Sequence, residues 1–315
     1  VRGPEYRLED LGDRRVLTVD GRSHSTSYSA RLLSMLIERK GPQRAALYLP
    51  FRETRGRFFL EPLFRYLESR GRRALRVLEV GCSFGHVTEY LAAQAAVAAV
   101  STFDTDPAFV AMTRVKVSEL GLARVHDVAL LTNEETCRLP YATAGFDLVV
   151  ASGVIEHLPP RTRRRQVDEY YRVLAPEGHI AILDTPNRAF PLETHSVGLP
   201  FVHWLPPRLA HRYARLGRPA TYGRLTFEEF MADGSGWTNA SWRECLPSWG
   251  RRGLDDVTEE AGYGWRFFRD TARSPTRRAL LPAFGLAGRV LAAAGCPRSW
   301  CLPYFNVVFR RRGTT

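Results

Sequence analysis

A strand, a glycine turn and the start of a helix are written in Val77-Leu78-Glu79-Val80-Gly81-Cys82-Ser83-Phe84-Gly85-His86. Leu75 to Val80 reads as a short strand that ends at glycine, and Val87 to Ala95 reads as the helix that follows. Gly81 permits positive φ and lets the backbone come close to a ligand. Gly85 lets the helix start pack against that ligand, and helix N-termini expose N–H groups that suit anionic atoms. The spacing is not Gly-x-Gly-x-x-Gly, so a pyrophosphate cradle is the less natural reading. Asp104 ends the next predicted strand, Ala99 to Asp104, 23 residues after Gly81. A carboxylate there can accept both hydroxyls of a ribose. Asp106-Pro107 reads as the cap and first residue of the following helix, Ala108 to Leu120, which Gly121 stops.

The alternation continues downstream. A third strand is expected within Val125 to Leu131, and a fourth over Phe146 to Ala151, apolar enough to be covered on both faces. A helix follows from Arg163 to Leu174, stopped by Pro176 and Gly178, and then a fifth strand from His179 to Asp184. This repetition implies an α/β fold with a doubly wound parallel sheet. Residues 1–72 read as a helical extension, with helices over Ser29 to Arg39 and Phe58 to Ser69 and a break at Gly41-Pro42. Residues 73–185 form the core. Residues 186–250 read as a cap insertion over the sheet's carboxyl edge, with a short helix from Thr226 to Ala232 and a strand near Thr238 to Leu246. Residues 251–315 read as helices from Leu254 to about Ala294 and a last strand, Pro303 to Phe309.

Composition narrows the class. With 315 residues, 44% hydrophobic and 25% charged, the chain can bury a sizeable core. The most apolar run, Ala279 to Cys296, is interrupted by Pro282 and Arg289, and Val1-Arg2-Gly3-Pro4 lacks a signal-peptide pattern, so a cytoplasmic protein is expected. Cys82, Cys137, Cys245, Cys296 and Cys301 have no zinc or redox spacing, and reduced thiols are expected. The net charge of +12 comes almost wholly from arginine, Lys40 and Lys116 being the only lysines. The clusters Arg161 to Arg165, Arg251-Arg252, Arg277-Arg278 and Arg310 to Arg312 do not alternate with aromatics as a single-strand platform would, and each reads as solvated surface charge.

Taken in order, these segments resemble the class I S-adenosylmethionine-dependent methyltransferases. Glu79 to Gly85 resembles their first motif, and Phe103-Asp104 their ribose-binding acidic position. Leu139-Pro140-Tyr141 with Gly145 to Val149 resembles the segment leading into the fourth strand. Val154-Ile155-Glu156-His157-Leu158 resembles the segment after it, and Arg172 to Gly178 the turn before the fifth strand, with Glu177 replacing a glycine. The resemblance implies a Rossmann-like sheet of seven strands in the order 3-2-1-4-5-7-6, the last antiparallel, with S-adenosylmethionine as cofactor. Carried over, Glu79, Gly81, Cys82 and Gly85 line the methionine part. Asp104 holds the ribose, Thr105 beside it is a further cofactor-binding residue, Glu135 and Thr136 lie by the adenine, with Asn133 or Glu134 able to substitute, and Ser152 and Gly153 face the sulfonium.

Methyl transfer to a hydroxyl calls for aligned reactants and a base, and histidine suits neutral pH. The candidates are His157, which follows strand four, and His195 and His203, which lie beyond strand five. His157 can serve as the base or brace its loop together with Glu156. His195 is the preferred base. It lies in Thr185 to His195, which resembles a Thr-Pro-Asn-Arg segment of some bacterial class I enzymes, and Glu193-x-His195 can act as an oriented base or a metal pair. Some quinone methyltransferases carry an extra carboxylate three residues before the Glu-His pair. Gly153 stands there, and no metal is assigned.

Tyr28, Asn187, Phe190, His203 and Trp204, with Phe201, are the candidate acceptor contacts, and so many aromatics suggest a hydrophobic or ring-containing molecule. The leading reading is O-methylation of a small molecule in natural-product or sugar biosynthesis. The alternatives are a lipid, quinone or prenyl-type acceptor at a membrane surface, with Leu280 to Cys301 resting on it, and a cofactor-binding protein without turnover. Nucleic acid is disfavoured, because Ser152-Gly153-Val154-Ile155 stands where an Asn-Pro-Pro-Tyr type base-flipping motif would lie.

Overall fold

A computed structural model describes residues 6–50, 52–217, 222–231, 237–272 and 275–313, in two compact units, Val1–Thr132 and Asn133–Thr315. The first unit opens with strands β1 (Tyr6–Asp10), β2 (Arg15–Val19) and β3 (Arg22–Thr26), an antiparallel sheet in that order. The sequence reading placed only helices here. Those helices are present, α1 (Ala30–Lys40) and α3 (Arg57–Ser69), with α2 (Pro42–Tyr48) between them. Gly41, at φ 79°, ends α1, and Pro42 starts α2 at once, where its missing N–H costs nothing. Leu17 and Val19 of β2 and Leu32, Leu33 and Leu36 of α1 share one buried cluster with Phe84 and Met112. The extension is therefore packed on the glycine turn rather than standing apart from it.

Three parallel strands follow, β4 (Leu75–Val80), β5 (Val97–Asp104) and β6 (Val125–Leu130), joined by α4 (His86–Ala92) and α5 (Pro107–Glu119). Asp106 caps α5 by accepting from Ala108 N at 2.8 Å, and Pro107 occupies the first helical position, as expected.

The second unit contains β7 (Phe146–Ser152), α6 (Arg163–Val173) and β8 (Leu174–Pro186), with β8 parallel to β7. Helices α7 (Pro207–Gly217) and α8 (Phe227–Met231) follow, then β9 (Leu254–Asp256), α9 (Gly264–Asp270), α10 (Pro275–Ala293) and β10 (Tyr304–Arg311). β10 is antiparallel to both β8 and β9. The seven strands take the order β6-β5-β4-β7-β8-β10-β9. Counted from β4, that is the 3-2-1-4-5-7-6 order expected, with its antiparallel last strand. Among the described residues no helix is long and apolar enough to cross a membrane.

Two local expectations fail. The strand near Thr238 to Leu246 is instead a single β-bridge at Ala240 and a 3-10 turn, Trp242–Cys245, held by a capping box between Ser241 and Glu244. The helical stretch from Leu254 begins as a strand, because Asp255 and Asp256 pair with Arg310 and Phe309 of β10.

The surface reading of the arginine clusters fails at one residue of the first cluster. Arg163 is fully buried. Its guanidinium donates to the carbonyls of Glu156 (3.1 Å), Leu158 (3.0 Å) and Asn239 (2.9 Å) and to Thr238 Oγ1 (2.8 Å), and it pairs with Glu244 at 3.2 Å. Arg164 donates to the carbonyls of Arg243 and Pro247, and Arg310 and Arg312 both engage Asp255. A rigid guanidinium fork satisfies several carbonyls at once, which a lysine could not do. Arg163→Met strands those carbonyls and leaves Glu244 unpaired. It should lower the unfolding free energy by about 3 kcal/mol, read from urea denaturation. A loss below about 1 kcal/mol, the size of a surface pair, would contradict this role.

Candidate functional site

The turn after β4 is fastened to the end of β5 by its backbone. Gly81 N (3.0 Å) and Cys82 N (2.9 Å) both donate to Phe103 O, and Ser83 N donates to Asp104 Oδ2 at 2.9 Å. Asp104 Oδ1 accepts from Asp106 N at 3.0 Å. Gly81 (φ 75°) and Ser83 (φ 49°) take left-handed conformations, and only the first is free of a side-chain penalty there. Burial raises the pKa of Asp104, against the lowering effect of these amides.

Glu79 is buried at the end of β4 and accepts from Thr88 Oγ1 at 2.6 Å, while its Oε1 has no hydrogen-bond partner among the described residues. Burial pushes its pKa up to about 8. Cys82 contributes backbone only, since its side chain is packed with Val110 and Val128. Gly85 has a different reason from the one expected. A Cβ there would meet Thr113 at 3.1 Å and Lys116 at 3.4 Å, so the glycine admits α5 rather than a ligand.

Tyr28, expected at the acceptor, is instead bound into a buried group of the first unit. Its hydroxyl donates to Glu89 Oε2 (2.7 Å) and accepts from Lys116 Nζ (2.9 Å), and that ammonium also lies 4.3 Å from the Tyr28 ring centroid. Burial lowers the Lys116 pKa to about 8, with Glu89 opposing the shift.

In the second unit, Glu135 is exposed on a 3-10 turn, and Thr136 is buried with its hydroxyl on Asn133 O. Ser152 ends β7, and Gly153 follows at φ 64°. An added Cβ at Gly153 would lie 3.8 Å from Glu156 Oε1.

The two candidate bases meet. His195 Nε2 and His157 Nε2 lie 3.1 Å apart, and Glu156 Oε1 is 3.7 Å from the first and 3.9 Å from the second. The Glu156 side chain is fully buried, whereas the imidazoles of His157 and His195 are 38% and 28% exposed. Beyond its own backbone amide, neither Glu156 oxygen has a donor among the described residues. Burial pushes the Glu156 pKa up to about 8, and the nearby Asp184 adds to the shift.

The partner expected for His195 was Glu193, and here the structure differs. Glu193 is fully buried and accepts four backbone N–H groups, those of His195 (2.7 Å), Ser196 (2.8 Å), Val197 (2.6 Å) and Gly198 (3.0 Å). Its acceptor capacity goes to the loop, and the loop turns His195 toward Glu156. Beside it, Thr194 Oγ1 and the Tyr304 hydroxyl are 2.9 Å apart. Tyr304 and Glu156 were not singled out as catalytic from sequence. Glu156 was legible as part of the Glu-His pair, but Tyr304, 147 residues from His157, left no local signal.

The remaining acceptor candidates divide. Asn187 is buried and donates from Nδ2 to Trp300 O and Leu302 O while Oδ1 accepts from Ala189 N, so it fastens the loop. His203 is also buried, bonded through Nε2 to Phe190 O, with its pKa lowered by burial. Phe190 stacks on Phe284 at 5.9 Å. Trp204 is half exposed beside Phe201, its indole N–H on Arg188 O.

Residues 78–182 match the methyltransferase domain family. An uncharacterized methyltransferase of Mycolicibacterium paratuberculosis is 39% identical over 104 residues, 31% of this chain and 38% of the relative. A ubiquinone biosynthesis O-methyltransferase of Xylella fastidiosa is 32% identical over 151 residues, 46% of this chain and 56% of the relative. The chain thus spans less than two thirds of these relatives' lengths. The solved YcgJ protein of Bacillus subtilis is 14% identical, with 81% of this chain and 99% of that one covered, at a TM-score of 0.42. Within the matched residues lie Glu79, Asp104, Glu156 and His157. His195 comes from the chain that follows it.

Two outcomes check this geometry. Glu193→Ala should release four amides, detach His195 from Glu156 and destabilise the chain by about 2–4 kcal/mol. Proton exchange at the amides of residues 195–198 reads the loop directly. For Glu79, the folded-state pKa lies above the ordinary glutamate value of 4.5, so its contribution to stability is full below that value and is lost as pH rises to about 8. Glu79→Gln should remove this part of the decline, a slope of at most about 1.4 kcal/mol per pH unit, measured by denaturation across pH 4.5 to 8. Parallel curves for the two proteins would contradict the assignment.

Proposed function

We propose that the chain transfers a methyl group from S-adenosylmethionine to a hydroxyl oxygen of a small, ring-containing molecule. The meeting of His157 and His195 over buried Glu156, in and next to a methyltransferase domain, carries this reading. The cofactor supplies a methyl group on a positively charged sulfur. The residues present suit it. The Asp104 carboxylate keeps acceptor capacity for ribose hydroxyls beyond the two amides it already holds. The orphaned buried Oε1 of Glu79 is an acceptor for an ammonium donor, and Gly81 leaves the turn bare of side chain. Glu135, Thr136, Ser152 and Gly153 keep the adenine and sulfonium roles that the resemblance gives them, and Thr105 stays a cofactor-binding residue beside Asp104.

His195 takes the acceptor's proton at Nε2 in this reading. Glu193 fixes the loop that presents it, and His157 holds the second imidazole against it. Removing that proton would make the acceptor oxygen nucleophilic toward the methyl group that a bound cofactor would supply, with the cofactor's sulfur as the leaving atom. Exposed Phe201 and Trp204 favour an apolar ring on the acceptor. The Xylella fastidiosa relative, a ubiquinone biosynthesis enzyme, favours a phenolic or quinol-type ring over a sugar.

Calorimetry with S-adenosylmethionine should show one site, weakened about 100-fold or more in Asp104→Ala by loss of charge-assisted hydrogen bonds. With a panel of phenols and catechols, His195→Ala should lose about 10²–10⁴ in kcat while cofactor affinity stays within about twofold. Unchanged turnover in His195→Ala would remove the base assignment, and absence of cofactor binding would remove the methyltransfer reading.

A further inference from the structure

Glu156 poses a problem that the proton-transfer reading leaves unsolved. Its side chain is fully buried and, its own amide apart, its two oxygens have no donor among the described residues. Burying a carboxylate without a partner costs several kcal/mol. The contrast with Glu193, equally buried but holding four amides, shows that the same stretch of the fold supplies donors where a carboxylate needs them. What approaches Glu156 Oε1 is a pair of imidazole nitrogens, each too far to hydrogen-bond it and each close to the other.

The geometry points to a site for one divalent transition-metal ion, of the zinc or iron(II) class, held by Glu156 Oε1, His157 Nε2 and His195 Nε2. These three atoms form a triangle with sides of 3.1, 3.7 and 3.9 Å. The point equidistant from them lies about 2.1 Å from each, which falls within the zinc–nitrogen and zinc–oxygen bond lengths. No atom need move for a single ion to reach all three. Two imidazoles and one carboxylate suit zinc or iron(II) and not magnesium or calcium, which require oxygen ligands. A bound cation would supply the countercharge that Glu156 lacks.

Three protein ligands leave the coordination sphere open. The carboxylate seals the inner side, and the partly exposed rings leave the outer side accessible, so the open position faces incoming molecules. There the ion would take a hydroxyl or phenol oxygen of the acceptor and lower its pKa, and the proton would pass to solvent water on that open side, since His195 Nε2 would then be a ligand and not the base. This second step rests on the proposed methyl transfer, whereas the metal site itself does not. His195 has a different role here from that of a free base, as it holds the ion that activates the oxygen. The sequence paired His195 with Glu193 and looked for a third carboxylate at position 153. The ligand set in the structure instead combines the Glu-His pair after β7 with a histidine from the loop after β8.

The test is a titration of the full chain, freed of metal by a chelator that is then removed. Cobalt(II) serves as the probe because its visible absorption bands report coordination, and zinc is measured by calorimetry. The expected result is one equivalent bound with a dissociation constant of about 1 µM or tighter, with the cobalt bands displaced by zinc. His195→Ala and Glu156→Gln should each weaken binding at least about 100-fold, while His126→Ala, an exposed histidine elsewhere, leaves it unchanged. Circular dichroism and S-adenosylmethionine affinity on the same samples verify that each variant is folded, and His195→Gln gives a second variant should the alanine fail. No cobalt band at about 100 µM metal, or binding indifferent to both ligand substitutions, overturns the site. Cofactor binding without metal binding removes the metal site alone, and metal binding without cofactor binding removes the methyl-transfer reading alone.

Discussion

The hydrogen bonds between the glycine turn and the end of β5 are the constraint on which the rest of the structure depends. Phe103 O accepts the amides of Gly81 and Cys82, and the Asp104 carboxylate accepts those of Ser83 and Asp106. Because the chain bends through two left-handed residues within three positions, these acceptors are what hold the bend in one conformation. The same contacts orient Asp104 at the carboxyl end of the sheet, the side on which open α/β sheets bind ligands. The N-terminal sheet and helices bury Phe84 against this turn, and Gly85 lets Thr113 and Lys116 approach it. A large share of the first unit is thus organised around one bend.

Buried charge distinguishes structural from reactive positions. Arg163 and Glu193 are each surrounded by partners that use most of their hydrogen-bonding capacity, and both hold irregular backbone in place. The Lys116, Glu89 and Tyr28 group satisfies itself in the same way. Glu79 and Glu156 do not. Each keeps at least one orphaned oxygen, each has its pKa pushed up by burial, and each stands at the end of a central strand or just beyond it. Strong perturbation with a missing partner is the pattern of a group held ready for a ligand.

The core was legible because its signals are local. Leu75 to Val80 runs into a glycine turn, Phe146 to Ala151 is nearly all apolar as suits a strand covered on both faces, and Asp106-Pro107 marks a helix start by its own chemistry. The N-terminal sheet escaped because Tyr6–Asp10 and Arg22–Thr26 are short and polar. One signal did exist there, since Asp20-Gly21, with both residues at positive φ, is a hairpin turn pair. The region after β8 was harder. Glu193 and His195 are two residues apart, and nothing in their spacing tells that one serves the loop's amides while the other reaches a residue 39 positions earlier. Asn187 and His203 misled for a related reason, because polar side chains that hold a loop look, in sequence, like polar side chains that hold a substrate. Arg163 among three other arginines gave no sign of its burial, which depends on Thr238, Asn239 and Glu244, all more than 70 residues away.

The central claim is that the turn after β4 and the Asp104 carboxylate form the receptor for an adenosyl group. A crystal structure with S-adenosylhomocysteine bound tests it most directly. The account predicts both ribose hydroxyls within hydrogen-bond distance of the Asp104 oxygens and the homocysteine part against the backbone of Gly81 to Ser83. A ribose that makes no contact with Asp104, or a ligand seated away from the glycine turn, would contradict it.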